Sequence, residues 1–207
     1  RWDLRQRFCN ELDFQKKRAL YAFGEYIYAR LYHQVIRAFG ETAHTLVPQD
    51  QLAQMANPFY QPLARGGEGY LEVGKNIYYH SHKLCHMVLS LKPFGCLPSS
   101  QSDGVQSAVT SKFKDMIYLP IETSGEGEVN AHSRVQMALG EAKTKAKAEL
   151  QQALRTTGRR IEEVQAFASR HADLHRSLYR VPHHPGIAGV AANFIFHVND
   201  LMAGHQA

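Results

Sequence analysis

An α/β fold is expected: a small parallel sheet flanked by helices, followed by a long helical C-terminal part. Three observations carry this. Two short apolar runs, at 87–91 and 116–121, read as buried strands. A helix-length segment separates them, and strand, helix and strand within about forty residues is the size of a βαβ unit, with a right-handed crossover and parallel strands. After Asn130 the chain is rich in Ala, Lys, Glu and Gln, all good helix formers.

Taken in order, the chain first offers Asn10 as a helix cap, with Asp13 near the positive end of the dipole. Leu20, Phe23, Ile27, Leu31, Val35 and Ala38 then recur at helical spacing until Gly40. Tyr21, Tyr26, Tyr28 and Tyr32 make this helix aromatic, suited to packing against the sheet or a neighbouring domain. Residues 41–69 hold Pro48, Pro58, Pro62, Gly66 and Gly67 and read as a connection with one helical turn near 49–55. A second helix is expected over 70–83, with Tyr70, Val73, Ile77 and Leu84 on one face.

The strand at 87–91 stops at Pro93, which has no backbone donor. Gly95 permits a sharp turn and Pro98 stiffens the exit. Cys96 is thereby held on a rigid loop just past a strand's carboxyl end, where ligands sit in open α/β sheets. A soft thiolate there suits iron–sulfur or zinc better than hard cations. The alternative is a buried, inert cysteine in a proline-bounded turn. A third helix over 104–114 leads to the second strand. The acidic loop from Glu122 to Glu128 should open at the same sheet edge as the cysteine loop. A helix over 131–156 ends at Gly158. Ile161, Val164, Ala168, His171 and Leu174 mark another, residues 181–186 a turn, and 187–202 an apolar terminal helix. The expected parts are 1–69 (helix and connection), 70–135 (α/β core) and 136–207 (helical part), all one structural unit.

At 207 residues the chain can bury a core without disulfide staples. The net charge of +5 is scattered among acids, and no basic stripe interleaves with aromatics, which argues against nucleic-acid binding. Cys9, Cys85 and Cys96 are odd in number and widely spaced, so a reducing cytoplasm is expected rather than a disulfide framework. No apolar run approaches a membrane span, and no secretory h-region is present. The chain opens at Arg1, close to a long amphipathic stretch, and is expected to be a piece of a larger polypeptide.

His80, His82, Cys85 and His86 look like a metal cluster, but zinc wants four tetrahedral ligands. Only His82 and His86 share a helix face, and no second motif completes the set. A polar helix face ending at a strand is expected. His183 and His184, beside two prolines, are assigned no role. Gly-x-Ser-x-Gly, Walker A and a complete Gly-x-Gly-x-x-Gly are all absent, so neither a serine nucleophile nor ATP hydrolysis is expected. Gly125-Glu126-Gly127 precedes a helix as phosphate loops do, yet Glu122, Glu126 and Glu128 would repel an anion.

The hexamer Pro93-Phe94-Gly95-Cys96-Leu97-Pro98 resembles the acyl-CoA dehydratase activase-related proteins, relatives of the 2-hydroxyglutaryl-CoA dehydratase activators and of the 2-hydroxyacyl-CoA dehydratase subunits. The resemblance runs over 69–141. It includes Glu68-Gly69-Tyr70-Leu71-Glu72-Val73-Gly74, both strands, Gly104, Glu128-Val129-Asn130 and Ser133-Arg134. It implies Rossmann-like domains sharing a 4Fe–4S or double-cubane iron–sulfur cluster. Electrons driven by an ATP-hydrolysing activase pass through that cluster to low-potential chemistry on acyl-CoA or other substrates. Cys96 matches the ligand position. Gly95 would let the backbone approach cluster sulfurs, where N–H donors tune potential. Asn130 and Arg134 would close the site or contact the partner domain, or serve as ordinary cap and surface residues.

Cys85 precedes the strand and Cys9 lies outside the resemblance, so both are expected as buried thiols. Residues 122–127 depart from the family's Asp-rich pattern, which leaves the substrate open. The role implied is a C-terminal domain of an iron–sulfur electron-transfer activator. It would hold no cluster in isolation, because one cysteine cannot supply the thiolates a cubane needs. The partners implied are the rest of the same polypeptide, an activase ATPase module, and an acyl-CoA or dehydratase, with a homodimer compatible. The alternatives are a scaffold or docking domain without cluster and a CoA- or nucleotide-binding module.

Overall fold

The computed structural model describes residues 11–40, 46–64, 67–123 and 128–204. The chain divides into two compact units, Arg1–Leu46 and Val47–Ala207. The first is built on α1 (Glu11–Ala38), which Gly40 ends at φ +67°. Among the described residues no second element accompanies α1 in its unit, and Leu20, Phe23, Tyr26, Leu31 and Val35 are exposed. The cap expected at Asn10 lies outside the described residues.

The second unit runs α2 (Gln49–Ala56), α3 (Gly69–Ser81), β1 (Met87–Pro93), α4 (Leu97–Lys112), β2 (Ile117–Thr123), α5 (Glu128–Thr157), α6 (Ile161–Arg170) and α7 (Val190–Gly204). A short 3-10 turn, Ala172–His175, follows α6. The sequence boundary at 69/70 grouped α2 with α1, whereas the boundary between compact units falls ahead of α2. The reason is local. α2 lies so close to α3 that a Cβ on Gly74 would stand 2.6 Å from the Leu52 carbonyl oxygen.

The two strands pair in parallel, from Met87 opposite Ile117 to Pro93 opposite Thr123. Helices α3, α4 and α5 all pack on this small sheet, which is the α/β arrangement expected. The strand and its ladder end at Pro93, as expected, two residues past the apolar run. Proline is tolerated at the last position because no further bond from its nitrogen is needed. Helix α4 starts at Leu97, well ahead of Gly104. Pro98 sits in its first turn, where a missing N–H costs nothing. The early start escapes a hydrophobicity reading because the buried face is polar: Ser99, Ser102, Gln106 and then Val109.

One core gathers Ala56, Tyr60, Val73, Ile77, Val109 and Met116. The other gathers Ala153, Val164, Ala192, Ile195 and Val198 from the C-terminal helices. Among the described residues no helix is long and apolar enough to cross a membrane.

Candidate functional site

Cys96 is the N-cap of α4, with extended backbone angles. Its amide donates to the Pro93 carbonyl at 3.3 Å, closing the turn directly from the end of β1. Gly95 makes that turn possible with φ +73°, a conformation L side chains rarely adopt. No heavy atom lies within 4 Å of a Cβ built on Gly95, so its conformation rather than crowding requires glycine. Caps are normally Ser, Thr, Asp or Asn, whose oxygen accepts a backbone N–H. Cys96 makes no such bond, so its sulfur is not spent on capping. A residue that breaks the local rule at a sheet edge is where function is expected.

The sulfur is half-buried and has a side-chain neighbour: Ser99 Oγ lies 3.3 Å away. Ser99 Oγ also lies 3.0 Å from Glu72 Oε1, and Ser102 Oγ donates to Glu72 Oε2. One carboxylate of α3 thus receives two buried serines of α4. The two helix starts come close enough for this because Gly67 and Gly69 abut Pro98. A Cβ on Gly67 would stand 2.5 Å from the Pro98 ring, and one on Gly69 would stand 2.7 Å from the Tyr60 hydroxyl.

A second polar group lies next to the first. The Lys92 side chain on β1 is only 2% exposed and pairs with Asp103 of α4. The Tyr118 hydroxyl donates to the same carboxylate at 3.4 Å. Burial works against charge on Lys92, but the hydrogen bond to Asp103, with Tyr118 and the Asp103 and Glu72 charges, outweighs it. The ammonium is held above the usual lysine range. Burial also pushes the Tyr118 phenol up.

Asn130 and Arg134 do come together. They line a pocket of about 340 Å³ with Asp103, Glu122 and the end of β2. Arg134 donates to the Pro120 carbonyl at 3.1 Å, tying the first turns of α5 to the strand. Cys96 does not line this pocket; Asp103, already paired to Lys92, is the link between the two clusters. Both strand ends face the same edge, as expected from the parallel pairing. Residues 124–127 of the acidic loop lie outside the described residues, as does Cys9.

The histidines near Cys85 diverge. His80 contacts Asp115 at 3.2 Å, His82 stacks on Tyr78, and His86 reaches Glu149 at 2.9 Å. Burial lowers His80 below the usual histidine range, against the opposing pull of Asp115. Cys85 is half-buried, and that burial pushes its thiol up, which suits an inert packing role. His183 and His184 hold the turn before α7, one on the Lys83 carbonyl and the other stacked on Phe196.

Among the described residues no three His, Cys, Asp or Glu side chains converge as a metal site. Glu72, Ser99, Ser102, Lys92 and Asp103 escaped the sequence reading. The available signals were a lysine inside an apolar strand and serines three residues apart on a helix. Comparison with protein-family models, curated proteins and solved structures yields no match.

Proposed function

We propose that this chain is the cysteine-bearing C-terminal segment of a cytoplasmic iron–sulfur electron-transfer protein, related to the activators of 2-hydroxyacyl-CoA dehydratases. The observation that carries the reading is Cys96 itself. A cysteine in the Pro-Phe-Gly-Cys-Leu-Pro turn occupies a helix N-cap at the carboxyl end of a parallel strand, with its sulfur free of capping duty. The positive end of the α4 dipole lies beside it, while the Glu72 carboxylate of α3, which Ser99 also contacts, opposes that field.

In this role Cys96 supplies one thiolate, and another domain of the same polypeptide supplies the rest. Leu91, Phe94 and Leu97 surround the cysteine turn and are exposed, an apolar rim suited to a domain closing over the sulfur. Gly95 and the Pro93 carbonyl hold the turn rigid. Lys92 and Asp103 fix β1 against α4 beneath it. A cluster held there would carry single electrons at low potential toward an acyl-CoA substrate, supplied by an ATP-hydrolysing activase.

The test is iron and sulfide content, with low-temperature EPR, on the full polypeptide purified without oxygen. Cys96→Ser is expected to abolish the cluster signal while leaving the fold nearly intact, since oxygen and sulfur differ little in size and a hydroxyl is a poor iron ligand. Cys85→Ser and Cys9→Ser are expected to retain it. Equal iron in Cys96→Ser and wild type would sink the reading. Stoichiometric iron and sulfide on the 207-residue chain as a monomer would sink the shared-ligand part of it.

One observation favours a second reading, a docking domain without cluster. The exposed aromatic and aliphatic row of α1 (Leu20, Phe23, Tyr26, Leu31) is a surface for a partner rather than for chemistry. A colourless full polypeptide that still pulls down its activase would decide for it.

A further inference from the structure

We infer that α1 is an interfacial helix whose exposed apolar face lies on an anionic membrane surface. The inference does not depend on the ligand role proposed for Cys96.

α1 is 28 residues long, about 42 Å at the rise of an α-helix. At about 100° per residue, Leu20, Tyr21, Ile27, Tyr28, Leu31 and Val35 fall within an arc of about 120°. All six are exposed, Leu20 at 67% and Tyr28 at 69%. A contiguous apolar face left in water marks an interaction surface.

The charge around the arc selects the partner. Lys16, Phe23, Arg30 and Arg37 stand seven residues apart and so follow one edge of it, an edge without an acid. Arg30 donates to a neutral group, the Tyr26 hydroxyl, at 3.3 Å. On the other edge Arg18 and Glu25 offset each other. Lys17 falls within the arc at its amino end, where a long stem carries the ammonium out to the rim. The acids at positions 11 and 13 fall in the first turn, where the helix dipole favours them. These basic residues look scattered along the sequence and gather only when wound on a helix. The imbalance is also regional: residues 1–40 hold eight Lys and Arg against four Asp and Glu, whereas 41–207 hold 16 against 15.

A basic face beside an apolar arc is the pattern of a membrane-surface helix. A second copy fits worse. An antiparallel pair sets the basic edge against itself, a parallel pair sets Lys16, Lys17 and Arg18 beside their own images, and the arc is wider than a two-stranded seam. A nucleic acid would leave Leu20, Ile27, Leu31 and Val35 without a use. A bilayer takes the whole arc at once, with tyrosine rings at headgroup level. Such a helix needs no spanning length, so the absence of a spanning helix among the described residues bears only on crossing.

The experiment is co-sedimentation of the full polypeptide with vesicles of phosphatidylcholine holding about one-third phosphatidylserine, beside vesicles of phosphatidylcholine alone. Wild type is expected to prefer the anionic vesicles about a hundredfold, at about fivefold for each basic residue of the Lys16, Arg30 and Arg37 edge. That preference should fade between about 0.1 M and about 1 M salt, as the Debye length falls from about 10 Å to about 3 Å. The triple variant Lys16→Gln, Arg30→Gln, Arg37→Gln keeps good helix formers and is expected to bind both vesicles alike. The double variant Ile27→Asn, Leu31→Asn is expected to bind neither, with a wild-type circular dichroism spectrum. Lys114→Gln, Lys143→Gln, Lys147→Gln removes the same charge from exposed sites of the Val47–Ala207 unit and is expected to stay within about twofold of wild type.

Equal losses from the two triple variants would overturn the inference, because net charge rather than α1 would be responsible. Unchanged binding by the double variant, or no binding by wild type, would overturn it as well. Wild type that ignores vesicles but forms a dimer broken by the double variant would assign the face to a second copy. Wild type that ignores vesicles but is retained on single-stranded DNA through the Lys16, Arg30 and Arg37 edge would assign it to nucleic acid.

Discussion

The two halves of the Val47–Ala207 unit bury polar groups for different ends. In the C-terminal helices the polar groups with most partners, Glu149 and Asn193, complete the backbone, beside the side-chain pairs Arg159–Asn199 and Tyr179–His197. Glu149 of α5 accepts the Ala188 and Gly189 amides at 2.9 and 2.6 Å, filling donors that the start of α7 leaves open, and it also holds His86. Asn193 similarly accepts the His184 amide and donates to the Ile187 and Gly189 carbonyls. Around the sheet edge, buried polar groups bond mainly to one another: Glu72 to Ser99 and Ser102, Lys92 to Asp103. Groups that serve the backbone explain a fold. Groups that serve each other beside a free cysteine need a further reason, and the proposed site supplies it.

That contrast sets the expected effects. The largest belongs to Asp103→Ala, which strands the Lys92 ammonium in the interior and is expected to cost about 3–5 kcal/mol. Lys92→Met, which removes the charge and keeps the length, is expected to be near neutral in the same urea titration. Equal losses from both would mean that the pair acts as a unit of stability rather than as a managed charge.

Glu149→Ala comes next, at roughly 2–4 kcal/mol, because two amides lose their acceptor at once. Glu149→Gln retains one accepting oxygen and should recover about half of it. Hydrogen exchange would localise the damage to the start of α7. A global loss spread over the sheet would blur the division between the halves.

Gly74→Ala is expected to cost about 1–3 kcal/mol, since the added methyl meets the Leu52 backbone and neither helix can give way without repacking. A neutral result in thermal melts would show that α2 shifts easily on α3.

The smallest effect is alkaline. The Lys92 ammonium is held above its ordinary range, so its contribution is complete below about pH 10 and disappears as pH rises through the folded value. Wild type should lose stability relative to Lys92→Met only above that point. Parallel curves would remove Lys92 from the account.

Much of the architecture was legible because it follows from periodicity and from residues with restricted backbones. Apolar runs of strand length, the βαβ spacing, Gly40 and Gly158 as helix ends, and Gly95 as the turn before Cys96 are local matters, settled by sterics within a few residues. That Asn130 and Arg134 both fall in the first turns of α5 was likewise readable, since a helix places them one turn apart. The start of α4 was not. Its inward face is Ser99, Ser102 and Gln106, polar residues whose burial is acceptable only because Glu72 and Asn76 reach them from another helix. Lys92 is the same case on a strand, since its place in the interior depends on Asp103 arriving from α4. Local sequence specifies which backbone a segment adopts. Whether a polar side chain points inward depends on a partner that only the packed chain brings within hydrogen-bond reach, and so the surroundings of Cys96 emerged from the tertiary structure.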